Sequence, residues 1–233
     1  SDRLNVEKTG PLLERAALAA LLFGLVVLVA ISATLPAFPV DETRYLTVAW
    51  EMRANGSWAL PTLNFEPYSH KPPLLFWLIN GFWSVLGLQV WPARLVGVVS
   101  MAAVLLLTHR LDRDLVPDPI ASEGSGLPAA SVLLLLGLPV FVGLGFAIMF
   151  DMLLTATVMG GLLGLWHAGR TGGRLHWLLY GFCIGLGLLA KGPVVLLYLL
   201  PPAFLGPYWI DPPQRKGWYL RLLGAIGVGA AMA

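Results

Sequence analysis

The chain has 233 residues, of which 57% are hydrophobic and only 12% are charged. Because soluble globular domains carry about 25% charged residues, this composition indicates a polytopic membrane protein. The net charge of +2 gives no support for nucleic-acid binding, and no basic run with interleaved aromatic residues lies outside the apolar segments. The single cysteine, Cys183, excludes an intramolecular disulfide and a thiolate metal cluster.

Apolar segments recur along the whole chain, and a helix needs about 20 apolar residues to cross a bilayer. The candidate spans are residues 12–35, 95–108, 127–149, 152–168, 175–190, 194–210 and 218–233. The first is longer than the core of a signal peptide, so we interpret it as a retained helix. The sequence therefore predicts an all-α fold, a polytopic transmembrane helix bundle that forms one domain over residues 1–233.

Residues 74–88 are apolar but short, and they follow the diproline Pro72-Pro73. They also contain Trp77, Asn80 and Trp83. A short segment with tryptophans and a polar strip suits a helix that lies in the membrane interface. The alternative is a short spanning helix, and the distribution of basic residues distinguishes the two.

If residues 74–88 do not span, most Lys and Arg residues lie on the same side as the N-terminus. Ten of the 15 do so: Arg3, Lys8, Arg15, Arg110, Arg113, Arg170, Arg174, Arg215, Lys216 and Arg221. The positive-inside rule then makes that side cytoplasmic. Residues 36–94 become an extracytoplasmic loop, and residues 109–127 become a cytoplasmic linker. A spanning helix would place most of these basic clusters outside, so we prefer the interfacial helix.

The extracytoplasmic loop is predicted to contain interfacial amphipathic helices. In residues 41–54, Asp41 is a suitable N-cap, apolar residues share one face, and Arg44 and Glu51 lie on the polar face. Asn55-Gly56 ends this helix. Residues 57–69 contain two prolines and are predicted to be irregular.

Asp41 and Glu42 come directly after the first span. A carboxylate beside an apolar cavity can act as a general base toward an acceptor hydroxyl, or can help to hold a divalent cation. In the alternative interpretation, Asp41 only caps its helix and Glu42 only interacts with the positive helix N-terminus. Both interpretations remain open from spacing alone.

Lys71, Asp151 and Lys191 fall on the same face of the membrane as Asp41. The diproline after Lys71 fixes its backbone, and its ammonium group suits a phosphate or pyrophosphate, unless it only extends toward lipid headgroups. Asp151 interrupts the apolar stretch 127–165, which makes it a candidate functional residue, with a helix N-cap as the alternative. Lys191 is interpreted as an interface anchor.

A metal site is not predicted. Glu66 and His70 are four residues apart and could share a metal ion on a helix, but Pro61 and Pro67 make a helix there unfavourable. No cofactor follows from the sequence, and a divalent cation at the acidic residues is the only metal that the pattern could accommodate.

Several short motifs occur in one order along the chain. They are Asp41-Glu42-Thr43-Arg44-Tyr45, Glu51-Met52, Gly56-Ser57-Trp58, Pro61-Thr62-Leu63-Asn64, Tyr68, Lys71-Pro72-Pro73-Leu74, Trp77, Phe150-Asp151 and Ala190-Lys191-Gly192-Pro193. Together they resemble the GT-C class of polytopic glycosyltransferases. The resemblance is to the aminoarabinose transferases acting on lipid A and to the related protein O-mannosyltransferases.

The resemblance implies roles for individual residues. Asp41 corresponds to the acidic residue of the first external loop, Lys71 and Tyr68 to residues near the donor phosphate, and Asp151 to a second acid that faces the same cavity. Residues that would support this site are Glu42, Arg44, His70 and Lys191. His70 stands where the aminoarabinose transferases carry a glutamate.

Enzymes of this class move a sugar from a polyprenyl phosphate carrier to a glycolipid or protein acceptor on the non-cytoplasmic face. The resemblance thus implies a multi-pass protein of the bacterial inner membrane, with a cytoplasmic N-terminus. Family members are longer, so we expect the N-terminal membrane part of such an enzyme.

Two alternative functions were weighed against a transferase. One is a truncated, non-catalytic relative that packs as a subunit in a larger membrane complex, which glycine-rich helix faces such as Gly181 and Gly185 would suit. The other, a transporter, is disfavoured because the ionisable groups gather at one face rather than at the bilayer midplane.

Overall fold

The structure is a computed structural model that describes residues 2–115, 127–210 and 217–233. In these residues it contains helices and one short β-ribbon. The elements are α1 (Asp2–Thr34), α2 (Asp41–Asn55), β1 (Thr62–Leu63), β2 (Glu66–Pro67), α3 (Leu74–Leu86), α4 (Val90–Leu115), α5 (Leu127–Leu136), α6 (Pro139–Phe146), α7 (Phe150–Thr171), α8 (Arg174–Lys191), α9 (Val194–Phe204), α10 (Gly206–Trp209) and α11 (Trp218–Met232). The predicted helical class is therefore confirmed.

Within the described residues, fewer helices than the predicted seven are long and apolar enough to cross a membrane. Three meet both conditions: Leu12–Thr34 within α1, α4 and α7. A fourth arises if α5 and α6 count as one span, although they bend by 74° at their junction. The other candidate segments form α8, α9 with α10, and α11, which do not combine the required length and hydropathy.

The bend between α5 and α6 has a local cause. Gly137 is a weak helix former, and Pro139 starts α6 at its first turn, where its missing N–H is tolerated. The segment predicted as a single span at residues 127–149 is thus two short helices. The predicted linker also differs, because α4 continues to Leu115. Residues 116–126 lie outside the described residues.

Helix α2 follows the predicted bounds closely, with two corrections. Val40 occupies the N-cap position without a side-chain cap, so the N-cap prediction for Asp41 is wrong, and Asp41 lies in the first turn. There a carboxylate still interacts favourably with the helix dipole. Glu51 was placed on the polar face but is buried. Gly56 ends the helix in a left-handed conformation, with φ of 66°.

Helix α3 starts directly after the diproline and has 13 residues. At 1.5 Å per residue it is about 20 Å long, which is too short to cross a hydrocarbon core of about 30 Å. Its length agrees with the interfacial prediction. The buried Asn80 amide donates hydrogen bonds to the carbonyl oxygen of Ala49 at 2.9 Å and that of Phe76 at 3.0 Å. The first of these bonds holds α3 against α2.

Three groups of buried apolar residues hold the described elements together. The first joins α2, α3 and the start of α7, and the second joins α7, α8, α9 and α11. The third lies between α1, α4 and the α5–α6 pair. In the second group, α8 and α11 touch through their backbones, because a Cβ atom on Gly181 would lie 2.4 Å from the carbonyl oxygen of Ala225.

Candidate functional site

Aromatic packing brings the segment between α1 and α4 to the start of α7. The rings of Tyr45 on α2 and Phe150 on α7 meet edge to face, with centroids 5.0 Å apart. Phe76 on α3 packs edge to face on the same Phe150 ring at 5.7 Å. All three side chains are buried. The loop helices and α7 therefore form one rigid support for the ionisable residues around them.

Lys71 lies at this aromatic centre. Its Nζ atom is 5.5 Å from the centroid of the Phe150 ring, a favourable cation–π distance. Tyr68 is buried, and its N–H donates to the carbonyl oxygen of Pro61 at 2.8 Å. The ring of His70 packs 5.3 Å from that of Tyr68. The structure thus groups three of the residues that the motifs singled out.

Electrostatic effects on Tyr45 place further site residues nearby. Burial raises the pKa of its phenol, and the Asp41 carboxylate and the Tyr68 phenol raise that pKa further. The Arg44 guanidinium lowers the pKa of Tyr45, and the Asp151 carboxylate raises it. Asp41, Tyr68 and Asp151 therefore all lie near enough to influence one phenol, although they lie up to 110 residues apart in the sequence.

Asp151 forms an ion pair with Lys191, with 2.6 Å between its Oδ1 atom and Nζ. Asp151 lies in the first turn of α7, where Met149 is the N-cap, so the alternative prediction of an Asp151 N-cap is not supported. Lys191 ends α8, and Gly192 leaves the helix with φ of 75°. The interpretation of Lys191 as only an interface anchor is therefore incomplete, because it binds the second acid of the site.

Asp41 makes a looser ion pair with Arg44, 3.5 Å apart and one helical turn along α2. The side chain of Asp41 is 47% exposed, and exposed pairs of this kind contribute little to stability. Its carboxylate is therefore accessible to a second molecule. Arg44 was predicted to support the site as a whole, and in the part of the chain that the structure describes its ion pair is with Asp41.

Glu42 is buried and binds groups from three parts of the chain. Its carboxylate accepts hydrogen bonds from the N–H of Phe38 at 2.8 Å, the N–H of Ile148 at 3.0 Å and the guanidinium of Arg94 at 2.8 Å and 3.1 Å. Burial acts to raise its pKa, but the hydrogen bonds from Arg94, Phe38 and Ile148 outweigh burial and hold the pKa below its ordinary value. Glu42 thus supports the site by connecting elements.

Arg94 is the partner that the sequence reasoning missed. It is fully buried, and besides Glu42 it donates to the carbonyl oxygens of Ser32 at 3.2 Å, Leu35 at 2.9 Å and Pro36 at 2.7 Å. The last carbonyls of a helix lack partners within that helix, so Arg94 caps α1. The prediction began the second span at residue 95, whereas α4 begins at Val90 and includes Arg94. Because the predicted span excluded Arg94, the rule that a charge inside a span requires a partner gave no signal.

Glu51 organises the short ribbon after α2. Its carboxylate accepts from the Thr62 hydroxyl at 2.7 Å and from the N–H groups of Asn64 at 2.7 Å and Phe65 at 3.0 Å. Asn64 and Phe65 both have positive φ, 55° and 64°, as a tight turn between β1 and β2 requires. The predicted irregular segment is therefore a small antiparallel hairpin.

The described residues contain no group of three or more His, Cys, Asp and Glu side chains that could hold a metal ion. Glu66 lies on β2 instead of a helix, and His70 packs on Tyr68, so the helical pair considered for a metal does not form. Two carboxylates at the site could supply oxygen ligands, those of Asp41 and Asp151, and each is paired with a basic side chain.

The chain belongs to the family of dolichyl-phosphate-mannose-protein mannosyltransferases, whose pattern matches residues 70–232. The motifs had indicated this membership of the GT-C glycosyltransferases, and it is confirmed. The chain is 34% identical over 196 residues to the undecaprenyl phosphate-alpha-4-amino-4-deoxy-L-arabinose arabinosyl transferase of Pseudomonas aeruginosa. It is 29% identical over 196 residues to the transferase of the same name from Erwinia tasmaniensis.

Each of these two alignments covers 82% of this chain and 34% of the relative, so the chain spans about a third of their length. The crystal structure of ArnT from Cupriavidus metallidurans bound to undecaprenyl phosphate is similar in fold, with a TM-score of 0.76 at 22% identity. That match covers 92% of this chain and 39% of ArnT. The apo structure of the same protein gives a TM-score of 0.70.

Proposed function

We propose that the chain is the N-terminal membrane part of a GT-C glycosyltransferase. The enzyme would take a sugar from a polyprenyl phosphate carrier and transfer it to a lipid A-like glycolipid or a protein on the non-cytoplasmic face. One observation carries the proposal: Asp41, Lys71 and Asp151, which are distant in sequence, gather around the packed rings of Tyr45 and Phe150. The family membership supports the same reaction class.

The reaction would be a direct displacement at the anomeric carbon of the sugar. The acceptor oxygen forms a bond to that carbon while the bond to the phosphate oxygen breaks, and the polyprenyl phosphate leaves with the bonding electrons. Asp41 orients the acceptor hydroxyl and takes its proton. Its exposure and its loose pairing with Arg44 leave the carboxylate free for this contact.

Lys71 would stabilise the negative charge that grows on the departing phosphate. Its ammonium group lies over Phe150, the first residue of α7, where free backbone N–H groups favour an anion. Tyr68 lies beside this position and would contribute its hydroxyl to the phosphate oxygens, with His70 packed behind it. Two features of different origin, a lysine and a helix N-terminus, therefore favour a phosphate at the same place.

Asp151 would shape the pocket between donor and acceptor, with Lys191 holding its carboxylate in position through the 2.6 Å ion pair. The site lies at one end of α4 and α7, and the basic clusters of the described helices lie toward the other. This distribution supports an extracytoplasmic site in the bacterial inner membrane and a cytoplasmic N-terminus.

The test uses the intact enzyme in membranes with a polyprenyl-phosphate-linked sugar and lipid A as acceptor. We expect Asp41→Asn to reduce transfer by about 10²- to 10⁴-fold, the usual contribution of a general base. Thermal unfolding should be unchanged, because the exposed Asp41 carboxylate contributes little to stability. Glu66→Gln, an equivalent charge loss on the exposed hairpin, serves as the control. Transfer at the native rate in Asp41→Asn would disprove the assignment.

The alternative of a non-catalytic packing subunit rested on glycine-rich helix faces. In the structure, Gly181 meets the backbone at Ala225, and Gly164 lies against the backbone at Tyr180. These glycines pack α7, α8 and α11 within the chain, so they give no support for a partner subunit.

A further inference from the structure

A crevice opens at the other end of the bundle from the proposed catalytic site, between α1, α4 and α5. Its volume is about 370 Å³, within the range of about 300–1,000 Å³ that small-molecule sites occupy. Ala17 and Leu21 on α1, Leu105 on α4 and Val132 on α5 form its apolar walls. Arg94, which binds Glu42, and His109 beside the crevice are 15 residues apart on α4, so about 22 Å separates the two sites.

The crevice is polar at one end only. Glu14 and Arg15 precede the apolar wall residues of α1, and His109 follows those of α4. The two helices run antiparallel, because the end of α1 contacts Arg94 near the start of α4. The three ionisable side chains therefore share one end, and the leucines extend away from them toward the middle of the membrane. This gradient fits an amphipathic ligand with its polar head at the charged end.

The ionisable side chains that line this end are one acid, Glu14, and two bases, Arg15 and His109. Among the described side chains, no ion pair or hydrogen bond joins Glu14, Arg15 or His109 to another residue. A ligand with both a phosphate and an ammonium group would satisfy all three. A polyprenyl phosphate or an anionic phospholipid offers only negative charge and would leave Glu14 facing a phosphate.

We propose that this crevice binds one zwitterionic glycerophospholipid with an ethanolamine headgroup. Arg15 and His109 contact its phosphate, Glu14 accepts hydrogen bonds from its ammonium group, and one acyl chain lies along the apolar wall beside Leu21 and Leu105. The bound lipid fills the space between α1 and the rest of the bundle, where only 22% of the α1 span is buried. It thereby joins α1 to α4 and α5.

The test measures retained lipid by native mass spectrometry after the intact enzyme is equilibrated with ethanolamine phospholipid, glycerol phospholipid and polyprenyl phosphate in equal amounts. We expect one ethanolamine phospholipid at this crevice in each native enzyme molecule. Arg15→Gln should reduce its retention about fivefold, equivalent to roughly 1 kcal/mol for one basic contact near a membrane surface. Arg174→Gln, the same change at an exposed basic residue of α8 that does not line the crevice, should have no effect.

Two further variants distinguish a specific site from general lipid contact. Ala17→Leu fills the crevice and should abolish retention, and Glu14→Gln should remove the preference for ethanolamine over glycerol headgroups. If Ala17→Leu does not fold, the exposed Arg15→Gln variant decides alone. Equal retention of both phospholipids by the native enzyme, retention unchanged in Arg15→Gln, or retained polyprenyl phosphate that Arg15→Gln releases would each overturn the proposal.

Discussion

Replacing Arg94 with methionine tests whether the buried ion pair with Glu42 holds α2 to the ends of α1 and α4. The change leaves a buried carboxylate without its counter-ion and removes a hydrogen-bond donor from the carbonyl oxygens of Ser32, Leu35 and Pro36. Removing one partner of a buried ion pair costs about 3–5 kcal/mol. Since each orphaned carbonyl adds to this cost, we expect the loss in free energy of unfolding to lie at the upper end.

The free energy of unfolding can be measured by denaturant titration in detergent, with Arg53→Met as the matched control. Arg53 is exposed and donates one hydrogen bond to Ser84, so its loss should change stability by about 0.5 kcal/mol or less. Adding Glu42→Gln to Arg94→Met removes the uncompensated charge and should recover part of the stability. A loss below about 1 kcal/mol in Arg94→Met, or a double variant no more stable than that single one, would refute the reasoning.

Three further predictions follow from buried contacts. The pKa of Glu42 lies below its ordinary value of 4.5, so the stability that Glu42 contributes is complete above that pH and is lost as the pH falls through the lower folded-state pKa. The midpoint temperature of thermal unfolding should therefore fall more steeply between about pH 6 and pH 3 in the native chain than in Glu42→Gln. Glu51→Ala should release the turn between β1 and β2, because the N–H groups of Asn64 and Phe65 lose the carboxylate that accepts from them. Chymotrypsin cleavage at Phe65 should become at least about tenfold faster, and an unchanged cleavage rate would contradict the role of Glu51 in holding this turn. Gly181→Ala should cost about 1–3 kcal/mol through backbone overlap, whereas Gly224→Ala on α11, with open space around it, should be neutral or stabilising.

Helix positions could be predicted because apolar periodicity, prolines and glycines act locally. Residues 41–54 and 74–88 were assigned correctly as helices, since Gly56 and the diproline mark an end and a start. The number of membrane spans was overestimated because these local signals were the only basis for counting them. Apolar content alone does not show that Pro139 divides one segment at a 74° bend, or that α9 is only 11 residues long.

The polar residues of the site were identified by type, but their partners were not. Asp151 and Lys191 are 40 residues apart, and only the packing of α7 against α8 brings them within 2.6 Å. Glu51 follows the helical spacing of a polar face, yet the hairpin folds over it and turns it into a buried acceptor. Such pairings depend on tertiary contacts, which spacing along one helix cannot reveal.

Glu42 and Arg94 explain how the segment between α1 and α4 can hold a fixed geometry against α1 and α7. Asp41 directly precedes Glu42, whose carboxylate binds the N–H of Ile148, three residues before Asp151. One buried carboxylate therefore fixes the start of α2, and through Arg94 the end of α1, relative to the start of α7. A reaction that needs two acids at a set separation would depend on that connection, even though neither Glu42 nor Arg94 is exposed to a substrate. In the proposed reaction, the buried Glu42 is thus as necessary to the arrangement as Asp41.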